Sequence, residues 1–475
     1  LKEGIRSSAL ELDPSIEKEK NAAHTVPAPE PQDESDMDPA LKEKGTYHIL
    51  QDLEAVRDYF NTASTNGIMA LDFETDSLEA WKAKPVGLSC ALKPGEAVYI
   101  PLASHAGSSS FVDNEAVKKL LHTLCSDPDM TIIAHNAKYD YSVSRAWGLE
   151  HWKCKIWDSM IAAWIVDPER NSFSLDNLVN SFFGLTTISY DSIVSKGNTF
   201  DTVPLEQAAE YAAEDADMAF RMKVLLEKRL KKAACLELFE KLEMPLVPIL
   251  AEMEGAGIRI EADILREYGQ ELGQKLVEIE REIHALVGHE FNIASTKQLQ
   301  EVLFEERKLR VIKKTKTGYS TDVSVLEELA KEDPVPEKIL RFRSLSKLKS
   351  TYVDTLADQA WEDGRLRTHY IQSGTATGRL SSRDPNLQNI PIRDEEGRRI
   401  RQAFCADTGK SLISADYSQI ELVVLAHLSG DPGLKEAFLE EKDVHRRTAA
   451  LIFNIPEKEV RPDQRRIAKT INFGV

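Results

Sequence analysis

Ile68-Met69-Ala70-Leu71-Asp72-Phe73-Glu74-Thr75-Asp76-Ser77-Leu78 reads as a buried strand that ends among acids. Its apolar run is too short for a buried helix and is closed by turn-forming residues. Val86–Leu92 and Ala97–Leu102 read as two more strands, with Lys93-Pro94-Gly95-Glu96 as the hairpin turn between them. Asn114–Cys125 has helical spacing. Thr131–Ala134 is another expected strand, leading through His135-Asn136 into a helix that begins near Tyr139. Helices are expected at Asp158–Val166, Leu175–Phe183 and Leu205–Lys231. Strands first, then alternation, then helices predict an α/β layered domain over residues 45–235.

The acids lie at the ends of these elements. Asp72 and Glu74 are two apart on an extended segment, so they share a face. Asp140 follows the strand Thr131–Ala134. Tyr211 and Asp215 are four apart on a helix, hence also on one face. Carboxylates crowded together repel, and divalent cations remove that repulsion. Hard oxygen donors suit magnesium or manganese. A pair of such ions is a known device for phosphodiester cleavage. Taken singly, an Asp-x-Glu pair or a Tyr and Asp one turn apart is an ordinary surface feature in a chain with 78 acids.

Composition narrows the classes. The 475 residues suggest two to four domains with real cores, and 42% hydrophobic with 29% charged residues is ordinary soluble-globular composition. No apolar run approaches a membrane span, and Leu1-Lys2-Glu3-Gly4 does not begin a signal peptide. Without an initiator Met, the chain is expected to be a piece of something longer. Cys90, Cys125, Cys154, Cys235 and Cys405 form no Cys-x-x-Cys pair, which argues against a disulfide scaffold or zinc ribbon and fits a reducing, cytoplasmic setting. A net charge of −18 argues against a nucleic-acid binder on its face, but binding depends on where charges sit. Residues 1–40 carry four basic and ten acidic residues and the run Val26-Pro27-Ala28-Pro29-Glu30-Pro31, so 1–44 is expected to be an acidic, Pro-containing linker. By contrast, Arg307, Lys308, Arg310, Lys313, Lys314 and Lys316 form one acid-free stretch, and Lys338, Arg341, Arg343, Lys347 and Lys349 form another. One such cluster is usually a solvated helix face. Two close together in an acidic chain make a candidate phosphate-contacting surface.

Past residue 235, Glu243-Met244-Pro245-Leu246 opens a helical stretch ending at Gly255-Ala256-Gly257. Tyr268–Leu286 is long, charged and amphipathic, and Ser295-Thr296 caps a further helix. Thr375-Ala376-Thr377-Gly378-Arg379-Leu380 then supplies small residues beside an arginine that can reach phosphate or a base edge. Ser411–Ala415 is expected to be a strand ending at Asp416. Tyr417-Ser418-Gln419-Ile420-Glu421 turns into a helix running to Gly430. Asp416 reads equally as a metal ligand or a helix cap. Pro462 and Asp463 open a helix on which Arg465, Lys469 and Phe473 share one face, suited to a triphosphate and a packed sugar.

As ordered strings these motifs are specific. Asp72-Phe73-Glu74-Thr75-Asp76-Ser77-Leu78, His135-Asn136-Ala137-Lys138-Tyr139-Asp140 and Tyr211-Ala212-Ala213-Glu214-Asp215-Ala216-Asp217 resemble the 3′→5′ proofreading domain of bacterial-type DNA polymerases I, within the Asp-Glu-Asp-Asp exonuclease superfamily. Thr375–Ser382 with Asp384-Pro385-Asn386-Leu387-Gln388-Asn389-Ile390-Pro391 resembles family A DNA polymerases. So do Asp416–Leu422, Asp443-Val444-His445-Arg446-Arg447-Thr448 and Arg465–Gly474.

The resemblance implies an RNase H-like α/β exonuclease domain with a mixed sheet. A mainly helical thumb (about 255–360) would follow, then an incomplete α+β palm (about 361–440) and the start of the fingers (about 441–475). It implies that Asp72, Glu74, Asp140 and Asp215 hold two magnesium or manganese ions, and that Tyr211 and Glu74 orient the attacking water. Leu78 would wedge against the terminal base, with Asn136 and Lys138 in support. Asp416 would bind both synthesis metals, two ions again, and Glu421 would exclude a 2′-hydroxyl. Arg379, His445, Arg465, Lys469 and Phe473 would contact the incoming dNTP, and Lys313, Lys314 and Lys347 the duplex phosphates. One departure is visible: relatives usually carry Arg two residues beyond the Glu, where this chain has Val423.

Primed DNA, single-stranded 3′ ends and dNTPs are the expected partners of a monomer, with no membrane involved. The family pattern calls for a Tyr beyond Val475 and, further on, a His-Asp-Glu motif supplying the second synthesis carboxylate. The chain is therefore expected to be a fragment that excises but does not extend. Two other readings stay open, a free-standing 3′→5′ exoribonuclease-like enzyme and a non-catalytic DNA-binding remnant. The motifs after residue 370 speak against the first.

Overall fold

The computed structural model describes residues 38–474 except 316, 317, 393, 394 and 441. Most of the expected linker, Lys316 and Val475 lie outside the described residues. The chain divides into two compact units, one up to Cys405 and one from Ala406 onward. The expected boundary at 235/236 falls inside the first.

The first unit is built on a six-stranded mixed sheet. Its strands are β1 (Thr46–Ile49), β2 (Ile68–Thr75), β3 (Pro85–Lys93), β4 (Glu96–Pro101), β5 (Thr131–Ala134) and β6 (Lys155–Asp158), in the order β1-β4-β3-β2-β5-β6. β2 lies near the middle, antiparallel to β3 and parallel to β5. Its residues from Met69 to Leu71 are fully buried, which is why the strand reads as an apolar run. β1, parallel to β4, was not expected, because Thr46-Tyr47-His48-Ile49 is short and only half-buried.

Helices α1 (Leu53–Asn66), α2 (Asn114–Cys125), α3 (Ala137–Ala146), α4 (Ser159–Val166), α5 (Leu175–Phe183) and α6 (Leu205–Lys232) surround the sheet. Asp158 both ends β6 and stands as the N-cap of α4. Its carboxylate accepts from Met160 N (2.8 Å) and so caps α4, and it also accepts from Ala137 N (2.8 Å) at the start of α3. One buried acid thereby orients two helices. α6 presents Ala208, Ala209, Ala212, Ala213, Ala216 and Ala219 to the sheet, all buried, so its backbone lies close against the strands.

Helix α7 (Met244–Ala256) continues this core: Met244 and Val247 pack with the β5–α6 cluster, and Ala251 packs with the β2–α2 cluster. Beyond it, α8 (Ala262–Val287) and α9 (Pro334–Lys347) pack together around Leu265, Tyr268, Leu272 and Leu345. A separate cluster of Ile283, Leu299, Leu326 and Ile339 holds the far end. A small hairpin, β7 (His369–Ile371) against β8 (Ser381–Arg383), carries the Thr375–Arg379 loop.

The described residues of the second unit hold the α-helices α10 (Ile420–Ser429), α11 (Pro432–Leu439), α12 (Val444–Phe453) and α13 (Pro462–Asn472). The expected strand Ser411–Ala415 is not formed. That segment is exposed and joins no ladder, and an extended run of peptide groups gains little without a partner strand. Helix α10 starts at Ile420, so Asp416 sits in exposed irregular chain rather than at a strand end.

Candidate functional site

Asp72 and Glu74 leave β2 on the face that α6 covers, and Tyr211 and Asp215 come down from that helix. One carboxylate oxygen from each of Asp72, Glu74 and Asp215 lies within 4.8 Å of the others. Glu74 sits opposite Gly87 of β3, where a Cβ would collide with the Tyr99 ring. The glycine lets that ring pass close to the acids, which are partly walled from water.

Asp140 approaches from another direction, near enough to feel the charge of Asp72 but outside that set of three. β5 stops at Ala134, which leaves the Phe73 N–H without a strand partner on that side, and Asp140 Oδ1 accepts it at 3.1 Å. The other oxygen, Oδ2, is buried with no hydrogen-bond partner. Tyr139, one residue earlier, donates its hydroxyl to Ser77 O (2.8 Å) and lies 2.5 Å from Thr75 Oγ1, pinning the end of β2 to α3.

Burial pushes Asp72 up to about 6. Burial also raises Glu74, and next to it the charges of Asp72, Asp215 and Asp140. Asp140 and Asp215 rise for the same reasons, burial first and then Asp72. A hydrogen bond from Tyr211 partly offsets the rise at Asp215, while burial drives the Tyr211 phenol far above its ordinary range. Four buried or half-buried carboxylates with one orphaned oxygen, all hard donors, fit divalent cations such as magnesium or manganese.

Leu78, just past β2, is 87% exposed. With Asn136, Lys138 and Arg383 it lines a cavity of about 400 Å³. The sequence reading passed over Tyr190. Its ring stacks on Phe200 (6.5 Å) and meets Tyr211 edge-on (6.2 Å), beside the acids. A lone Tyr in Ser189-Tyr190-Asp191 carries no periodic signal, so nothing in the sequence marked it.

The basic clusters are less free than their composition suggests. Arg307 is held by Asp333 (2.5 Å), Arg310 by Glu328 and Glu332 (2.7 Å each), Lys338 by Glu282 (2.7 Å) and Lys349 by Asp354 (2.7 Å). Lys313 pairs with Asp322 at 2.9 Å. Lys314 is exposed, 5.8 Å from the Tyr319 ring centre, and Lys347 is exposed on α9.

In the second unit four of the residues expected at the nucleotide, His445, Arg465, Lys469 and Phe473, lie on the neighbouring helices α12 and α13 or just past them. His445, nearly fully buried, meets the Phe473 ring at 5.4 Å and Asn472 Nδ2 at 3.0 Å. Lys469 Nζ is 5.9 Å from the same ring, and Arg465 Nε donates to Asp443 Oδ2 at 2.6 Å. Burial lowers His445, and next the cations Arg465 and Lys469 do so. Arg379 is exposed in the β7–β8 loop of the first unit, and Glu421 and Val423 lie on α10.

Comparison with known proteins places these features. A sequence model described as 3′-5′ exonuclease matches residues 47–231, and one described as DNA polymerase family A matches residues 262–475. DNA polymerase I of Treponema pallidum (strain Nichols) is 46% identical over 465 residues, covering 91% of this chain and 47% of its own length. DNA polymerase I of Pseudomonas aeruginosa is 43% identical over 474 residues, covering 98% and 51%. The chain thus spans about half the length of these curated relatives. A solved structure, the POL domain of Pol1 from M. smegmatis in complex with DNA primer-template and dNTP, superposes with a TM-score of 0.77 at 31% identity. The match covers 90% of this chain and 71% of that one. Among the described residues no helix is long and apolar enough to cross a membrane.

Proposed function

The chain belongs to DNA polymerase family A, and from that membership we propose that residues 45–235 excise nucleotides from DNA 3′ ends and the rest serves template-directed synthesis. The observation that carries the excision reading is the carboxylate cluster itself. Asp72, Glu74 and Asp215 converge within 4.8 Å beside an Asp140 oxygen that has no other partner, inside the segment matched as 3′-5′ exonuclease.

In this reading Asp72, Glu74, Asp140 and Asp215 hold two magnesium or manganese ions, which supply charge neutralisation and an activated water. Tyr211, beside Asp215, and the buried Glu74 orient that water towards the terminal phosphodiester. Exposed Leu78 wedges against the last base. Burial and mutual repulsion raise these acids, and bound divalent cations would offset that repulsion.

On the synthesis side, Asp416 is assigned to the metal pair and Glu421 to rejection of a 2′-hydroxyl. Arg379, His445, Arg465, Lys469 and Phe473 are assigned to the dNTP, and Lys313, Lys314 and Lys347 to the duplex backbone, which they position without reading sequence. The thumb covers about 255–360, the palm begins at about 361 and the fingers at about 441. Primed DNA, single-stranded 3′ ends and dNTPs are the partners of a cytoplasmic monomer; the M. smegmatis relative, solved with primer-template and dNTP, supports the primed DNA and the dNTPs.

The test is release of mononucleotides from a labelled single strand with magnesium or manganese, run in parallel on DNA and RNA of one sequence. DNA-selective release supports the proposal. Selective RNA trimming would favour an exoribonuclease, and no release with either metal would leave a DNA-binding remnant.

A further inference from the structure

Lys138 lies two residues before Asp140 on α3, roughly 200° round the helix from it and so facing away from the acids. Its ammonium is paired with Glu254 of α7, and both side chains are largely buried, 14% and 7% exposed. Glu254 Oε1 also accepts the Tyr370 N–H at 2.6 Å, and Lys138 donates to Tyr370 O. Lysine, glutamate and the backbone N–H and C=O of Tyr370 thus close a ring that joins α3, α7 and β7. The other carboxylate oxygen lies 3.8 Å from His369 Nδ1.

Two further bonds reinforce the junction. Trp164 Nε1 of α4 donates to Thr375 O (2.9 Å), and Gln372 Nε2 donates to Glu243 Oε2 (2.9 Å). At its far end α3 is held again by α7, with Arg145 Nε donating to Glu252 at 2.7 Å and Tyr141 OH to the same oxygen at 3.1 Å. The helix that carries Asp140 is therefore braced at both ends by a helix outside the segment matched as exonuclease.

A buried ion pair is a poor source of stability, because an apolar pair of similar volume serves as well or better. What it supplies is direction, since its hydrogen bonds fix orientation where apolar contacts slide. A metal-ligating carboxylate works only when its support holds it within about 0.5 Å of the productive position.

We propose that Glu254 is a positioning residue for excision: through Lys138 it sets the first turn of α3 and with it the Asp140 carboxylate. The same carboxylate holds the hairpin bearing Arg379, so the excision site and a synthesis loop share one anchor. The proposal rests on the excision reading given above.

Glu254→Gln and Glu254→Asp are to be compared in the full chain. Glutamine keeps an acceptor for Tyr370 N but leaves Lys138 without its counter-charge. Hydrogen exchange should quicken at the first-turn amides of α3 and stay unchanged in α2. For mononucleotide release from single strands, kcat should fall by about 10- to 100-fold with KM little altered. Aspartate, which keeps the charge on a shorter stem, should recover part of kcat. Lys138→Met combined with Glu254→Gln should restore melting temperature without restoring kcat, which separates positioning from mere docking. Unchanged α3 exchange in the Gln variant, or kcat within about twofold of the unmodified chain, would overturn the proposal. An unmodified chain that releases no mononucleotides would defeat the excision reading by itself, and the exchange measurement would still decide whether Glu254 braces α3.

Discussion

Asp217 and Arg221, one turn apart on α6, are both without exposed surface and pair at 2.6 Å. Every oxygen of Asp217 is used: Oδ1 accepts from Gly95 N (2.7 Å) and Arg221 Nε (3.0 Å), and Oδ2 accepts from Tyr47 OH (3.0 Å) and Arg221 Nη2. Arg221 Nη1 reaches the carbonyls of Leu41 (2.8 Å) and Glu43 (2.6 Å). The pair ties β1, its approach and the β3–β4 turn to the helix that presents Tyr211 and Asp215. Arg221→Met leaves a buried, uncompensated carboxylate and should destabilise the first unit by about 3–5 kcal/mol. Asp217→Asn with Arg221→Met should cost clearly less. Urea unfolding followed by tryptophan fluorescence reads both, and a loss below about 1 kcal/mol for the single variant would contradict the account.

Asp72→Ala with Glu74→Ala removes two of the three converging carboxylates. Mononucleotide release should drop to below about a thousandth of the unmodified rate, while duplex binding stays within about twofold. Near-normal cleavage at moderate magnesium would rule out these acids as the catalytic set.

The site should also make stability depend on pH and metal together. Asp72 is held at about 6 by burial, above its unfolded value, and Glu74, Asp140 and Asp215 are raised as well. Between the unfolded and folded values the native state binds more protons. The metal-free fold is therefore favoured on the acid side and loses that advantage as pH rises through about 6. In EDTA the melting temperature should fall from about pH 5 to about pH 7.5, and manganese should raise it mainly at the upper end. Asp72→Asn with Glu74→Gln should flatten both effects; a manganese response surviving in that variant would place the ions elsewhere.

Lys314→Glu and Lys347→Glu should each weaken duplex binding and flatten the dependence of log K on log salt by up to about 0.9. Lys313→Glu should do less, because Asp322 already neutralises Lys313. Filter binding or anisotropy across a salt series decides. Slopes unchanged from that of the unmodified chain in all three variants would mean these lysines are merely solvated.

Arg465→Ala and Lys469→Ala should each weaken dNTP binding by about 10- to 100-fold, the usual effect of losing a charged hydrogen bond to phosphate. Calorimetry with one dNTP in the presence of magnesium measures it. Affinity unchanged in both would remove the α12–α13 surface from the nucleotide site.

Much of this architecture is visible in the chain because its cause is local. Met69–Leu71 announces a buried strand, and the alanines of α6 mark a helix that must lie close to something. Asp72, Glu74 and Asp215 could be grouped because spacing gives their faces and the motif order gives their neighbourhood. Lys138 with Glu254, and Asp217 with Tyr47, could not, since which buried polar group meets which is settled by the packing of segments over 100 residues apart. β1 and β6 escaped notice because four half-polar residues carry no period. Ser411–Ala415 was misread for the opposite reason: its local signal is strand-like, but a strand is defined by its neighbour.

Helix α7 has a consequence for anyone who dissects this protein. Phe239, Met244 and Val247 complete one side of the sheet's core and Ala251 the other, so a gene cut at residue 235 would strip off part of the hydrophobic lining. Such a clone should aggregate or be digested readily by trypsin, whereas one extended through Ala256 should express as a protease-resistant body. Comparing the two clones by limited digestion would show whether the sheet's core closes only when that helix is included.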